Sequence, residues 1–173
     1  MTFNCRFCNN DLGTHFLDLG HQPPSNAYLT SDQLETTEKT YPLKLYVCKS
    51  CWLVQIPEYV SSRELFTKDY AYLSSTSSLW LKHAEKFAND SIKKLSLDDK
   101  KLVIEIASND GYLLQYFKKS NIPCFGVEPT ALAANEAKKK GIKTLQEFFG
   151  YKFAEGITKL GAIAQNGADL VVA

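Results

Sequence analysis

Leu102-Val-Ile-Glu-Ile106, followed by Ala107-Ser-Asn-Asp-Gly111, is the stretch that decides the fold of the larger part of this 173-residue chain. The short, mostly apolar run predicts a buried strand, and the turn residues after it end that strand. Tyr112 to Lys119 then carries apolar residues at helical spacing, which predicts a helix. A strand, a tight turn and a helix in this order begin a βαβ unit.

The same alternation of strands and helices continues along the chain. Three further strands are predicted at residues 123–127, 142–145 and 169–173. One helix is predicted to end before Gly141, and another to cover about 150–165. Strands separated by helices of about 10 to 15 residues are typical of a parallel, doubly wound sheet. We therefore expect residues 101–173 to have an α/β fold.

The first third of the chain contains two Cys-x-x-Cys pairs, Cys5 with Cys8 and Cys48 with Cys51. Each pair supplies two thiolates from one tight turn, and four thiolates complete a tetrahedral zinc site. The alternation in Tyr41–Val47 and the β-prone residues after Cys51 predict a hairpin with a metal knuckle at its tip. We expect residues 1–60 to form a small zinc-ribbon-like module, with residues 61–100 as a connecting segment and helix.

The cysteines also allow other interpretations. They can be buried thiols or a dithiol redox pair, and His15 or His21 can replace one ligand. Four thiolates leave no open position for water, so the predicted zinc is structural. Cys124 lies in an apolar run and is interpreted as a core residue.

Composition restricts the partners and the location that we expect. The formal net charge is +1, so neither nucleic acid nor an anionic membrane is an expected partner. No apolar run approaches the roughly 20 residues of a membrane span, and the N-terminal residues do not resemble a signal peptide. Because cysteine pairs without an export signal favour metal sites, we expect the protein to be cytoplasmic.

A ligand site is expected where the strands of the parallel sheet end. The turn at 108–111 exposes backbone N–H groups, and Gly111 is expected to allow a ligand close to the backbone. Glu128 follows the second predicted strand, where a carboxylate can accept hydrogen bonds from ribose hydroxyls. Glu105, inside an apolar strand, requires a partner, and a cationic ligand group would provide one. One glycine instead of three favours S-adenosylmethionine over a dinucleotide, while another nucleotide or a ligand-free domain remain alternatives.

Three motifs together resemble the sugar C-methyltransferase family. They are Asp69-Tyr-Ala-Tyr-Leu-Ser-Ser75, Glu105-Ile-Ala-Ser-Asn-Asp-Gly-Tyr-Leu-Leu114 and Gly126-Val-Glu-Pro129, and they accompany the two cysteine pairs. The resemblance implies an enzyme of deoxysugar biosynthesis that methylates a carbon of a nucleotide-linked keto-deoxysugar. It also implies a zinc-binding module, a Rossmann-like domain that binds S-adenosylmethionine, and a further C-terminal half.

The resemblance implies a role for each matching residue. The methionine part of the cofactor would be lined by Glu105, Ala107, Ser108, Asn109 and Gly111, in a loop fixed by Asp110. The ribose would be held by Glu128, the adenine side shaped by Pro129, and the cofactor carboxylate bound by Ser74 and Ser75. Tyr72 would contact cofactor or substrate, and Tyr70 shares this segment. The alternative for Tyr70 and Tyr72 is that both pack in the core.

The resemblance also implies what these residues lack. The catalytic base is expected in the further C-terminal half, so the 173 residues alone are expected not to methylate a substrate. That half, or a partner chain, would complete the sheet at the apolar edge of its fourth strand. The alternative function is a non-catalytic, zinc-stabilised module that binds S-adenosylmethionine or a nucleotide and acts through a partner. A zinc-ribbon nucleic-acid binder is disfavoured by the neutral charge.

Overall fold

The chain folds as two compact units, Met1–Leu65 and Phe66–Ala173. The structure is a computed structural model that describes residues 3–68, 70–159 and 167–173. None of the helices in this described part combines the length and apolar character that a membrane span requires.

The first unit is built on a three-stranded antiparallel sheet in the order β1-β2-β3. Its strands are β1 (Leu17–Gln22), β2 (Tyr41–Val47) and β3 (Val54–Gln55), followed by a short helix α1 (Ser62–Leu65). The predicted hairpin is confirmed, because β2 pairs with β3 on either side of the second cysteine pair. β3 is shorter than the sequence predicted, since the knuckle turn extends to Leu53, whose carbonyl accepts a hydrogen bond from Cys48 N at 3.0 Å.

The second unit contains a parallel four-stranded sheet in the order β6-β5-β4-β7. Its strands are β4 (Val103–Ile106), β5 (Cys124–Val127), β6 (Thr144–Leu145) and β7 (Leu170–Val172). The predicted α/β fold is therefore confirmed for the described residues. The chain adds β5 and β6 on one side of β4 and β7 on the other, so the strand order reverses beside β4. In open α/β sheets, ligands bind beyond the carboxyl ends of the strands at such a point.

The helices of the second unit are α2 (Ser78–Leu95), α3 (Leu114–Lys119), α4 (Ala131–Lys139) and α5 (Tyr151–Lys159). The predicted stop at Gly141 is confirmed, because this glycine has φ 71° and Ile142 N donates to the carbonyl of Ala137. α3 begins two residues later than predicted, after a turn at 110–113. The last predicted helix is described only to residue 159, and residues 160–165 of that prediction lie outside the described residues.

Both faces of the parallel sheet are covered by apolar side chains. Val103 belongs to a cluster with Leu114 and Phe117 of α3 and with Ala84 and Ala88 of α2. The next residue of β4, Ile104, belongs to a second cluster with residues of β5 and α5. This alternation follows from the twofold side-chain period of a strand. Packing on both faces holds β4 between the helical layers. The loop that follows β4 therefore begins at a well-fixed strand end.

Candidate functional site

The four thiols of the Cys-x-x-Cys pairs form one cluster in the first unit. All four Sγ atoms lie within 4.8 Å of one another, with Cys5 Sγ 3.6 Å from Cys51 Sγ and Cys8 Sγ 3.5 Å from Cys48 Sγ. A zinc ion with Zn–S bonds of about 2.3 Å requires tetrahedral S–S edges of about 3.8 Å. The same contacts are far too long for disulfides, whose S–S bond is about 2.05 Å. The arrangement therefore fits a tetrathiolate zinc site.

The two knuckles have the same backbone conformation. Asn9 N donates to the carbonyl of Cys5 at 2.9 Å, and Trp52 N donates to the carbonyl of Cys48 at 2.8 Å. Asn9 and Trp52 both have left-handed backbones, with φ of 59° and 64°. Such a conformation is unfavourable for a bulky residue such as Trp52. That Trp52 nevertheless adopts this conformation indicates that the positions of the cysteine thiols determine the backbone of the turn.

Backbone N–H groups stabilise the thiolate form of one cysteine in each pair. The N–H of Cys8 is the main cause that lowers the pKa of Cys5 to about 6, and the side-chain amide of Gln55 contributes in the same direction. The N–H groups of Cys51 and Ser50 likewise lower the pKa of Cys48. Thiolates are the form that binds zinc, so the same N–H donors would also stabilise Cys5 and Cys48 in the zinc-bound form.

The other candidate ligands lie outside the thiol cluster. His15 packs against the ring of Tyr46 and approaches Asp18 at 3.8 Å, and His21 pairs with Pro42 in the β1–β2 ladder. Cys124 is half-buried on β5, and burial raises its pKa to about 11, as expected for a core thiol. Among the described residues, the metal-ligand cluster consists of cysteines alone.

The loop after β4 forms a tight turn at the point where the sheet order reverses. Ser108 N donates to the carbonyl of Val127 on β5, and Gly111 N donates to the carbonyl of Ser108 at 3.0 Å. Ala107 and Asn109 both have left-handed backbones, with φ of 55° and 49°. Glycine tolerates this conformation best, so an alanine at 107 carries a steric cost. The loop is thus held in a contorted shape between the ends of two adjacent strands.

Three carboxylates lie buried around this loop. Glu105 on β4, Asp110 in the loop and Glu128 after β5 are exposed by only 2%, 2% and 4%. Oε2 of Glu105 and Oδ1 of Asp110 have no hydrogen-bond partner among the described residues. Because a buried polar atom without a partner is costly, these two oxygens indicate a place for donor groups of a ligand.

Glu128 already binds protein donors with both carboxylate oxygens. Its Oε2 accepts from Asn109 N at 3.0 Å, and its Oε1 accepts from Thr130 N at 2.8 Å and Thr130 Oγ1 at 2.6 Å. Each carboxylate oxygen accepts about two hydrogen bonds, which leaves capacity on Oε2. Glu128 therefore anchors the loop, and a ribose hydroxyl would have to share Oε2 with Asn109.

Glu105 is the most electrostatically perturbed carboxyl of the site. Burial raises its pKa to about 8, with Asp110 and Glu128 acting in the same direction, while a hydrogen bond with Tyr112 opposes the shift. The ring of Tyr112 also stacks on Trp80 of α2, with the ring centroids 5.9 Å apart. A nearby positive charge would favour the ionised carboxylate and lower this pKa.

The raised pKa of Glu105 predicts a pH dependence of folding. The pKa lies above the ordinary glutamate value of 4.5, so between about pH 5 and pH 8 the folded state binds more protons than the unfolded state. Stability therefore falls as pH rises through this window, by at most about 1.4 kcal/mol per pH unit. Urea denaturation at pH 6 and pH 8 should show this loss in the wild type, and Glu105→Gln should remove it.

The exposed Glu147→Gln serves as the matched control, since it deletes a carboxylate without removing a buried one. The same pH profile for Glu105→Gln and the wild type would contradict the assignment of this dependence to Glu105.

The segment 72–76 lies directly against the loop. Asn109 bridges the two, because its Oδ1 accepts from Ser74 N at 2.8 Å and its Nδ2 donates to the carbonyl of Tyr72 at 3.1 Å. Ser75 N donates to Asp110 Oδ2 at 3.3 Å. Tyr72 is 48% exposed, whereas Tyr70 packs edge-on against Phe66. The structure therefore does not bury Tyr72 in a core.

Lys140, at the end of α4, is a site residue that the sequence analysis missed. Its Nζ donates to Ser75 Oγ at 2.7 Å, to the Asp110 carbonyl at 2.8 Å and to Asp110 Oδ2 at 3.1 Å. It compensates the buried charge of Asp110 and ties the segment 72–76 to the loop. The lysine-rich end of α4 carried no signal for this role, because Lys138, Lys139 and Lys140 look equivalent in the sequence.

Ser108 and Gly111, two predicted cofactor-lining residues, lie close to other protein atoms, and Ser108 Oγ has no hydrogen-bond partner among the described residues. The side chain of Ser108 is fully buried, and a Cβ added to Gly126 would lie 2.1 Å from its Oγ. A Cβ on Gly111 would lie 2.4 Å from Ile142 Cδ1, so the absent side chain makes room for Ile142. That Gly111 allows a ligand close to the backbone stays a prediction. Pro129 lies half-buried between Glu128 and Thr130.

Comparisons with known proteins agree with the zinc module and with the predicted family. Residues 5–66 match the model of a family described as "Putative zinc binding domain". The chain is 27% identical over 161 residues to the C-methyltransferase NovU of Streptomyces niveus. That alignment covers 93% of this chain and 38% of NovU, so the chain spans about 38% of the length of this curated relative.

Among solved structures, the chain was matched to one titled "Crystal structure of MccD protein". The match has 21% sequence identity and covers 50% of this chain and 30% of that chain. Its TM-score is 0.27, which is too low to indicate a shared fold.

The family match supports the zinc-binding module, and the curated relative to which most of the chain aligns is a C-methyltransferase. The resemblance predicted from the motifs is therefore confirmed: this chain resembles the N-terminal part of the sugar C-methyltransferase family.

Proposed function

We propose that this chain binds S-adenosylmethionine as part of a C-methyltransferase that acts on a nucleotide-linked keto-deoxysugar. The observation that carries the proposal is the pair of buried, unpartnered carboxylate oxygens, Glu105 Oε2 and Asp110 Oδ1. They belong to a strand and a loop at the reversal of the sheet order, where ligands of α/β proteins bind. The relationship to NovU supplies the reaction class.

The charge of the loop favours a cationic ligand over a phosphorylated one. Glu105, Asp110 and Glu128 are all buried, and Lys140 is paired with Asp110. Phosphate groups would meet repulsion from these carboxylates, whereas the amino group and sulfonium centre of S-adenosylmethionine would find acceptors. NAD, which carries two phosphates, is therefore the natural negative control.

The residues of this chain would bind and orient the cofactor. S-adenosylmethionine supplies an electrophilic methyl group when it is bound. Glu105 and Asp110 would accept hydrogen bonds from its amino group, and Glu128 Oε2 has remaining capacity for a ribose hydroxyl. Tyr72, half-exposed and held by Asn109, would contact the substrate or the cofactor. The contribution of these residues is positioning, since methyl transfer requires the attacking carbon and the methyl group in line.

The zinc proposed for the first unit would have a structural role. Four cysteines supply a complete tetrahedral set, which leaves no coordination position for substrate. Bound zinc would hold the two knuckles together, and no chemical step is assigned to it. We also propose a cytoplasmic location, because thiols that bind zinc must remain reduced.

Calorimetric titration of the full chain with S-adenosylhomocysteine tests the proposal. We expect binding of this ligand and none of NAD. We expect Glu105→Gln to weaken binding at least about tenfold, since the amide cannot ionise beside the cationic amino group of the ligand. Glu147→Gln should bind as the wild type does. NAD binding, or no S-adenosylhomocysteine binding by the folded, zinc-loaded chain, would contradict the proposal that these residues form the cofactor site.

A further inference from the structure

Gln55 is a buried polar residue that connects the two cysteine knuckles. It lies on β3, directly after the second knuckle, and is 7% exposed. Its Nε2 donates to Cys5 Sγ at 3.2 Å, and its Oε1 accepts from Arg6 N at 3.0 Å, both in the first knuckle. One side chain therefore binds both a metal-ligand sulfur and the backbone beside it, across a separation of about fifty residues.

The orientation of the Gln55 amide follows from its partners. Nε2 also donates to the carbonyl of Leu53 at 3.4 Å, so both neighbours of the NH₂ group are acceptors. The oxygen faces a backbone N–H, which is a donor. A rotated amide would place donor against donor and acceptor against acceptor. The N–H···S contact is thus the arrangement that satisfies every group.

A donor to sulfur matters most when the sulfur is a buried, charged ligand. Zinc with four thiolates carries a net charge of 2−, and Cys5 and Cys48 are buried. Removing such a charge from water is unfavourable unless hydrogen bonds compensate it. Partners in the second coordination shell of metal sites typically change metal affinity by about 10- to 100-fold.

We propose that Gln55 is a positioning residue of the zinc site: its amide orients Cys5 and stabilises the zinc-bound thiolate. This inference rests on the zinc site proposed above, and on Gln55 having both a sulfur partner and a backbone partner. Neither contact is visible in a Cys-x-x-Cys motif, because Gln55 lies outside both pairs.

Competition of the full chain with a chromophoric zinc chelator tests the inference. We expect Gln55→Met to weaken zinc binding by about 10- to 100-fold. Gln55→Glu keeps the acceptor for Arg6 N but removes the N–H donor, and should weaken binding at least as much. Zinc affinity of Gln55→Glu equal to that of the wild type would overturn the role of the N–H···S bond.

A second measurement separates this role from simple packing. With Co²⁺ in place of zinc, loss of the donor to sulfur should shift the thiolate-to-cobalt charge-transfer band to lower energy in Gln55→Met. Leu12→Ala, which removes a buried side chain from the same cluster, should lower stability without moving the band. An unshifted band in Gln55→Met would contradict the proposal.

Gln22→Met is the matched control for the substitution itself. Gln22 lies in the same unit, is exposed, and donates its amide to the Leu19 carbonyl at 3.0 Å instead of to a sulfur. The zinc affinity of Gln22→Met should equal that of the wild type. If the wild type binds no zinc, the proposed metal site itself is wrong. If the wild type binds zinc and Gln55→Met binds it equally well, only the role of Gln55 is overturned.

Discussion

Cys48→Ser is expected to unfold the first unit while the second unit remains folded. Among the described residues, the buried cluster of the first unit consists of Cys5, Leu12, Tyr46 and Cys48, so half of it is made of proposed metal ligands. Structural zinc contributes about 10–16 kcal/mol in zinc-finger peptides at neutral pH. So few buried apolar residues cannot offset the conformational entropy of about sixty residues without it.

Amide NMR spectra and zinc content of the purified chain measure this effect. Signals of Met1–Leu65 should lose their dispersion in Cys48→Ser and in wild-type protein treated with a chelator. Signals of the second unit should persist, since two apolar clusters of its own cover its sheet. Cys124→Ser provides the matched control, because Cys124 lies on β5 and outside the thiol cluster. A well-dispersed first unit in the zinc-free protein would contradict the prediction.

Gly126→Ala is expected to cost about 3 kcal/mol and to disturb the ligand loop, because small-to-large changes in a packed core force side chains or backbone to move. The added Cβ would lie 2.1 Å from Ser108 Oγ and 2.6 Å from Ser108 Cβ. Gly126 pairs with Glu105 in the parallel ladder, so relief of the clash would separate the two strand ends that hold the loop. Both stability and binding of S-adenosylhomocysteine should therefore fall.

A double-mutant cycle identifies the cause of that loss. Ser108→Gly removes the two atoms nearest to the new methyl group and leaves Leu114 Cδ1 at 3.2 Å, so Gly126→Ala should cost much less in the Ser108→Gly background. Denaturant unfolding of the four proteins measures the interaction. Gly156→Ala is the control substitution, since a Cβ at Gly156 meets no atom within 4 Å. Additive effects of the two changes would contradict a steric conflict between positions 108 and 126.

The secondary structure was largely predictable because its signals are local. The apolar run before Ala107, the turn after it and the stop at Gly141 depend on near neighbours in the chain, and the structure has a strand, a turn and a helix end at these places. β3 was the main overestimate: the hydrogen bonds of the knuckle compete with strand pairing through Leu53.

The composition of the site was less predictable than its location. Parallel strands bring their carboxyl ends to one edge of the sheet, so the sequence already predicted a ligand site that contains the turn at 108–111 and Glu128. Lys140 and Gln55 were missed, since their partners are 30 and about 50 residues away in the sequence. The burial of Ser108 was not predictable either, because a serine in a polar turn has the same sequence pattern whether its side chain points outward or into the core.

The sequence by itself determined the α/β fold, the hairpin with its cysteine knuckle and the resemblance to the sugar C-methyltransferases, because each depends on local periodicity or on a short motif. Only the tertiary structure decided which polar groups find partners. It paired Lys140 with Asp110, placed the amide of Gln55 on Cys5, occupied Glu128 with protein donors and left Glu105 Oε2 without one. Hydrogen bonds and charge compensation act over a few ångströms in space, whereas most of these partners lie far apart along the chain. The sequence therefore does not show which groups pair.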